Sequence, residues 1–183
     1  MAIIITGNPG VGKHTVAKSI GKILKFKILD INQIALESGI YEKNDGAVDV
    51  DVKKLKNILK NKIKENSIIV GHLAPYVVTN KQVKTAVILR KNPYNLIPIY
   101  KKRKYSTKKI AENIGSEILG IIAYDTIKKF GKNKSRQIDT TSKSVSKITK
   151  AVINSLKDKF ENDKVDWLAL VSKKNDLKKF FSY

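Results

Sequence analysis

Near the start of the chain, Gly7-Asn8-Pro9-Gly10-Val11-Gly12-Lys13-His14-Thr15 sets glycines and a lysine in the spacing G-x-x-x-x-G-K. The chemistry of such a loop is the holding of phosphate. Gly10 and Gly12 let main-chain N–H groups turn inward around anionic oxygens, the start of a following helix adds the positive end of its dipole, and Lys13 reaches the outer phosphates. An ordinary tight turn also uses Gly and Pro, but the lysine, and the elements expected on either side, set this one apart. The residue after the lysine usually carries a hydroxyl for Mg²⁺. Here it is His14, and Thr15 comes next, so Thr15 is the residue expected to serve the metal. His14 still offers its backbone N–H to a phosphate, and its imidazole is read as an exposed side chain in preference to a catalytic one.

The basic residues are uneven in type. Of 37, 34 are lysine and three are arginine: Arg90, Arg103 and Arg136. In so lysine-rich a chain an arginine marks a place where a planar fork is wanted, most often for bidentate contact with phosphate. The net charge of +21 on 183 residues attracts polyanions. Residues 91–183 hold 22 basic and 9 acidic groups against 15 and 7 in residues 1–90, so the surplus leans to the second half. With 25 isoleucines alongside, part of it is equally well a genome bias of the thermophile kind. No cysteine is present, which excludes disulfides and thiolate metal sites. Asp49 and Asp51 resemble a metal pair, but Asp51 is better placed to cap the next helix. Trp167 and Phe180-Phe181 read as packing of the tail in preference to a base-stacking platform.

These residues need elements to hold them. Ala2 to Thr6 is a short β-branched run, the sign of a buried strand, and Lys13 to Leu24 follows with a helical apolar stripe. Further strands are expected at Phe26–Leu29, Ser67–Gly71, Ala86–Arg90 and Gln137–Asp139. Helices are expected at Asn32–Glu37, Val52–Glu65, from Pro93, over the isoleucine stripe Ile110 to about Phe130, and over Ser142–Phe160. Tyr41 to Asp51 reads as an acidic, turn-rich stretch, and Lys101 to Lys109 as a basic one without an acid. Alternating strands and helices predict an α/β fold with a parallel sheet in one domain, 1–183. The N-terminus lacks a signal-peptide pattern and no apolar run approaches the ~20 residues of a membrane span, so a cytoplasmic protein is expected.

The loop, together with Val70-Gly71-His72-Leu73-Ala74, Leu89-Arg90-Lys91-Asn92-Pro93, Arg103-Lys104-Tyr105-Ser106, Lys109 to Ile114, Glu117-Ile118, Gln137 to Thr141 and Val165 to Leu168, resembles the archaeal and eukaryotic adenylate kinase-like nucleoside monophosphate kinases of the isoenzyme six type. The ordered set covers almost the whole chain. The resemblance implies a five-stranded P-loop core flanked by helices, a monophosphate-binding lobe at 30–53, a small lid at 102–112 and a C-terminal helical extension at 164–183. It implies ATP and Mg²⁺, with AMP as acceptor: Arg103 would contact ATP phosphates, Arg90 would lie near the transferring phosphoryl group, and His72 would orient water or a γ-phosphate oxygen or be a histidine hydrogen-bonded at a strand end. Lys13, Arg90, Arg103 and His72 are thus the expected catalytic set. Arg136 joins the phosphate-handling arginines or forms a salt bridge at the sheet edge.

The chain also departs from that family. Val70 stands where an acid usually precedes Gly-His, Lys104 replaces a common Gly, Ile99 and Leu36 fall where some members have Arg. The activity implied is phosphoryl transfer from ATP to AMP. The family is also implicated in small-subunit ribosome maturation, as an ATPase engaging a platform ribosomal protein and rRNA, and the losses at His14 and Val70 lean toward that slower reaction. A P-loop kinase of another small molecule would have the same fold.

Overall fold

The computed structural model describes residues 1–44, 47–157 and 160–181, the side chains of 42–44 and 47–49 excepted. In chain order the elements are β1 (Ala2–Thr6), α1 (Lys13–Leu24), β2 (Lys27–Asp30), α2 (Ile31–Glu37), β3 (Tyr41–Asn44), β4 (Ala47–Val50), α3 (Val52–Lys62), β5 (Ser67–Val70) and α4 (Ala74–Val77). They continue with β6 (Val83–Arg90), α5 (Pro93–Lys102), α6 (Thr107–Leu119), α7 (Ile121–Phe130), β7 (Ser135–Asp139), α8 (Val145–Ser155), α9 (Trp167–Lys173) and α10 (Leu177–Phe181). Five strands form one parallel sheet in the order β2-β5-β1-β6-β7. This is the α/β architecture expected from the alternation of elements.

The central strands β1 and β5 are buried along their whole length, which is why they read as unbroken apolar runs without a polar alternate. Successive side chains still point to opposite faces. Ile5, Ile68, Val70, Val87 and Leu89 pack with residues of α1, α5, α6 and α8, whereas Ile4, Ile69 and Ala86 pack with α2, α3 and α4. Two helical layers therefore clamp the sheet, and the loops at the carboxyl ends of the strands are held from both sides.

Local chemistry sets the element ends. Asp51 accepts from the N–H groups of Lys53 and Lys54 at 3.0 Å and so caps α3 as expected; the side chain of Asp49 lies outside the described residues. Asn92 caps α5 through the N–H of Tyr94, and Pro93 occupies the first turn. The stretch 41–50, expected as turns, is instead an antiparallel pairing of β3 with β4. The isoleucine stripe is two helices and not one, because Gly120 adopts φ 67° between α6 and α7. A side chain there would also stand 3.3 Å from the guanidinium of Arg90. The apolar period runs straight through this break, so the pattern alone did not reveal it.

The terminal helices dock on the first layer. α9 and α10 pack against α6, the Phe180 ring meets Tyr94 edge-on at 5.4 Å, and the Tyr94 hydroxyl donates to Asp176 at 2.6 Å. Among the described residues no helix is long and apolar enough to cross a membrane.

Candidate functional site

The loop after β1 leaves the sheet at its carboxyl edge, where the strand order turns outward in both directions, the usual ligand crevice of an open parallel sheet. Gly7 has φ 133°, and a Cβ on it would lie 2.2 Å from the Leu89 carbonyl oxygen, so only glycine lets the loop cross β6 this closely. Gly12, at φ 98°, hands the chain to α1 without a side-chain cap, so the first N–H groups of the helix lack intrahelical partners. Tyr100 pins the loop from α5 by donating its hydroxyl to the Pro9 carbonyl at 2.7 Å.

Lys13 is only 6% exposed. Its Nζ donates to the Asn8 carbonyl at 2.8 Å. Burial, reinforced by the Arg103 charge, lowers its ammonium to about 8, against the opposing pull of Glu117 and Asp30. Burial and then the Lys13 charge push His72 down to about 4, so His72 is a neutral imidazole at neutral pH. His14 Nε2 lies 2.8 Å from Asp30 Oδ2, while Asp30 Oδ1 caps α2 through the N–H groups of Asn32 and Gln33. Burial opposes ionisation of Asp30, but these hydrogen bonds, the one from His14 first, hold its carboxyl below the usual value.

One cavity of about 930 Å³ joins Lys13, His14 and His72, near the top of the roughly 300–1,000 Å³ range for small-molecule sites. Gly10, Gly12, Lys13, His14 and Thr15 form its floor with His72. One arm runs under the turn between α5 and α6, with Arg103, Tyr105, Ser106, Lys108 and Lys109. Tyr105 stacks on Tyr100 at 5.5 Å and receives Lys109 over its face at 4.8 Å. Lys104, in that turn, has φ 56°, a left-handed conformation that costs a side chain roughly 1–2 kcal/mol and that glycine adopts freely. The other arm is apolar, lined by Ala35, Leu36, Val50 and Leu73 beside Asn32. Among the described residues this second arm contains no lysine or arginine.

Seven of the eight residues expected at the site, Gly10, Gly12, Lys13, His14, Thr15, His72 and Arg103, thus share one cavity. Arg90 does not line it. At the end of β6 its Nε donates to Glu117 Oε1 at 2.8 Å and its Nη2 to the Glu117 carbonyl at 2.7 Å, with 5% of the residue exposed. The resemblance places Arg90 beside the transferring phosphoryl group; in the structure its guanidinium is held in a buried ion pair. Arg136 lies on the edge strand β7, at the opposite end of the sheet from the loop, and donates there to the carbonyls of Asn133, Ser135 and Ser155 in place of an acid.

Two acids have structural roles that the sequence does not announce. Asp30, which the sequence marks only as the start of a lobe, is paired across the β2–β5 ladder with Val70. Glu117 is fully buried, and its signal was an acid at the i, i+3 position of an otherwise isoleucine face.

The ionisation of Lys13 predicts a pH dependence. Phosphate binding raises a lysine that is free at about 8, so ATP affinity should be flat below that pH. Above it, affinity should fall by about tenfold per unit as the ammonium must be recharged on binding. Calorimetric titration between pH 6.5 and 9.5 checks this; a flat profile throughout would contradict it.

Residues 3–120 match the family model described as "AAA domain". The chain is 32% identical over 171 residues to a "Putative adenylate kinase" of Saccharolobus islandicus, covering 92% of this chain and 88% of that one. It is 33% identical over 172 residues to a protein of the same name from Methanocaldococcus jannaschii, covering 91% and 93%. Among solved structures, shikimate kinase from Aquifex aeolicus superposes with TM-score 0.53 at 19% identity, over 85% of this chain and 96% of that one. The YorR protein from Bacillus subtilis, solved with phosphorylated GDP, superposes with TM-score 0.56 at 19% identity, over 85% and 95%.

Proposed function

The chain belongs to the AAA-domain family and, within it, to the adenylate kinase-like nucleoside monophosphate kinases, and from that premise we propose that it transfers the γ-phosphoryl group of ATP to AMP, giving two ADP. The observation that carries the reading is the two-armed cavity, with phosphate-holding groups on its floor, cations along one arm and an apolar slot along the other. ATP lies with its phosphates in the loop and its outer end under the α5–α6 turn, where segment 102–112 acts as lid. AMP occupies the second arm, where 30–53 acts as the monophosphate lobe and Leu36, 52% exposed, offers apolar surface to a base.

Phosphoryl transfer asks little covalent chemistry of a protein; it asks for in-line positioning and for positive charge where negative charge gathers. The loop N–H groups and Lys13 hold the β- and γ-phosphates, Arg103 meets the equatorial oxygens, and the neutral His72 donates or accepts a hydrogen bond without adding charge. Among the described residues no cluster of three or more His, Cys, Asp or Glu forms a metal site by itself. Mg²⁺ is ordinarily held by one or two carboxylates together with phosphates and water. Thr15 and the ionised Asp30 are the residues that would hold it, and bound Mg²⁺ supplies charge neutralisation to the phosphates.

A second reading, ATP hydrolysis in the service of small ribosomal subunit assembly, is favoured by one observation: neither Leu36 nor the sequestered Arg90 offers a guanidinium to an acceptor phosphate. The exposed run Lys101 to Lys104 would then face a ribosomal protein or rRNA. Coupled ADP formation with a panel of nucleoside monophosphates separates the two. Kinase action gives ADP in a 2:1 ratio to AMP consumed; ATP loss without consumption of any monophosphate leaves hydrolysis.

A further inference from the structure

The least expected group in the molecule is the carboxylate of Glu117, which has no solvent exposure. A charge so placed is tolerated only when its oxygens are filled with donors. Oε1 accepts from Arg90 Nε at 2.8 Å, from the Lys91 N–H at 3.0 Å and from the indole Nε1 of Trp167 at 3.0 Å. Oε2 accepts from the Asn8 side-chain amide at 2.7 Å. The other end of that amide accepts from the Ser116 hydroxyl at 3.0 Å, so consecutive residues of α6 grip Asn8 from both sides. Asn8 is the second residue of the phosphate loop, and its own carbonyl holds the Lys13 amine.

A continuous run of hydrogen bonds therefore leads from Trp167, at the start of α9, through Glu117 and Asn8 to Lys13. We propose that Glu117 is a positioning residue for the phosphoryl donor: it fixes Asn8, and through it the aim of the loop and of Lys13, while Trp167 fixes Glu117 from the C-terminal segment. A carboxylate is needed at the centre because only an acceptor with several lone pairs can bind a guanidinium, an amide, an indole and a main-chain N–H at once. A network serving only to hold the core together would have no cause to end on the carbonyl partner of the phosphate-binding lysine. The proposal rests on the nucleotide-kinase reading of the cavity.

The test uses the full chain and ATP itself. Trp167→Phe keeps an aromatic ring and removes the indole N–H, Asn8→Ala cuts the run in the loop, and Glu117→Gln turns one oxygen into a donor facing the Asn8 amide. By calorimetry, Trp167→Phe should weaken ATP roughly three- to tenfold, the equivalent of one hydrogen bond. Glu117→Gln and Asn8→Ala should weaken it more, and Asn8→Ala with Trp167→Phe should be no weaker than Asn8→Ala alone, because the indole acts through Asn8. In kinetics the Trp167→Phe loss should appear in kcat/KM for ATP and leave KM for the acceptor unchanged. The chain has a single tryptophan, so ATP should shift its emission in the wild type and fail to do so in Asn8→Ala at saturating ATP. Should Glu117→Gln not fold, the other two variants decide. Unchanged ATP affinity in a folded Trp167→Phe, or additive losses in the double variant, overturns the proposal. Absence of ATP binding to the wild type is a different result, which overturns the reading of the cavity and the proposal with it.

Discussion

Exchange of Lys13 for methionine is expected to lower kcat/KM for phosphoryl transfer by at least about 100-fold, the scale on which a preorganised charge donor contributes to a transition state. The side chains are close in length, the ammonium has little water around it, and Arg103, which comes from the α5–α6 turn and not from the phosphate loop, has its own place on the phosphates. Stability should move the other way. The folded protein holds Lys13 at about 8 against an ordinary 10.5, so the charged form is disfavoured by folding. The resulting penalty is present in full below pH 8 and fades as pH rises from there to 10.5. At pH 7 the neutral methionine is free of it, and the variant should melt no lower than the wild type. Steady-state kinetics beside thermal melts check both halves; activity within tenfold of wild type would remove Lys13 from the chemistry.

Arg90→Leu should do its damage in the opposite place. It leaves the Glu117 carboxylate buried without its charged partner, and breaking such a pair from one side costs about 3–5 kcal/mol. Chemical denaturation should show that loss, and adding Glu117→Gln to the same chain should recover a large part of it, since the stranded charge is then gone. A loss below about 1 kcal/mol would mean that water or another donor reaches Glu117. The contrast with Arg103 is instructive. Arg103 is exposed and lines the cavity, so its removal should cost turnover and spare stability. Two arginines singled out by the same compositional argument are thus expected to differ, one in turnover and one in stability.

The legibility of the chain followed the range of the forces involved. The phosphate loop was readable because its strand, glycines, lysine and helix are contiguous, and each residue type there answers a local steric or electrostatic demand. The five strands and most helices were readable from period and caps, as Asp51 and Pro93 illustrate. Gly120 was not, because an apolar stripe can continue across a left-handed residue that ends one helix and starts another. The identity of Arg90's partner was also out of reach. Glu117 lies 27 residues on, and nothing in either local pattern says that α6 brings its acid against the end of β6. Lys104 went the other way: its departure from glycine was visible in sequence, and its positive φ gives the reason glycine suits that place.

The pairing of Asp30 with Val70 in the β2–β5 ladder bears on how such sites are searched for. Neighbouring strands lie about 4.8 Å apart, so an acid moved sideways by one strand stays at the same rim of the sheet while vanishing from the motif that a linear search inspects. The unit under selection at the rim of a parallel sheet is then a point in space, which any of several strand ends can supply. A chain can lose a signature residue from one strand and keep the charge that the signature stood for.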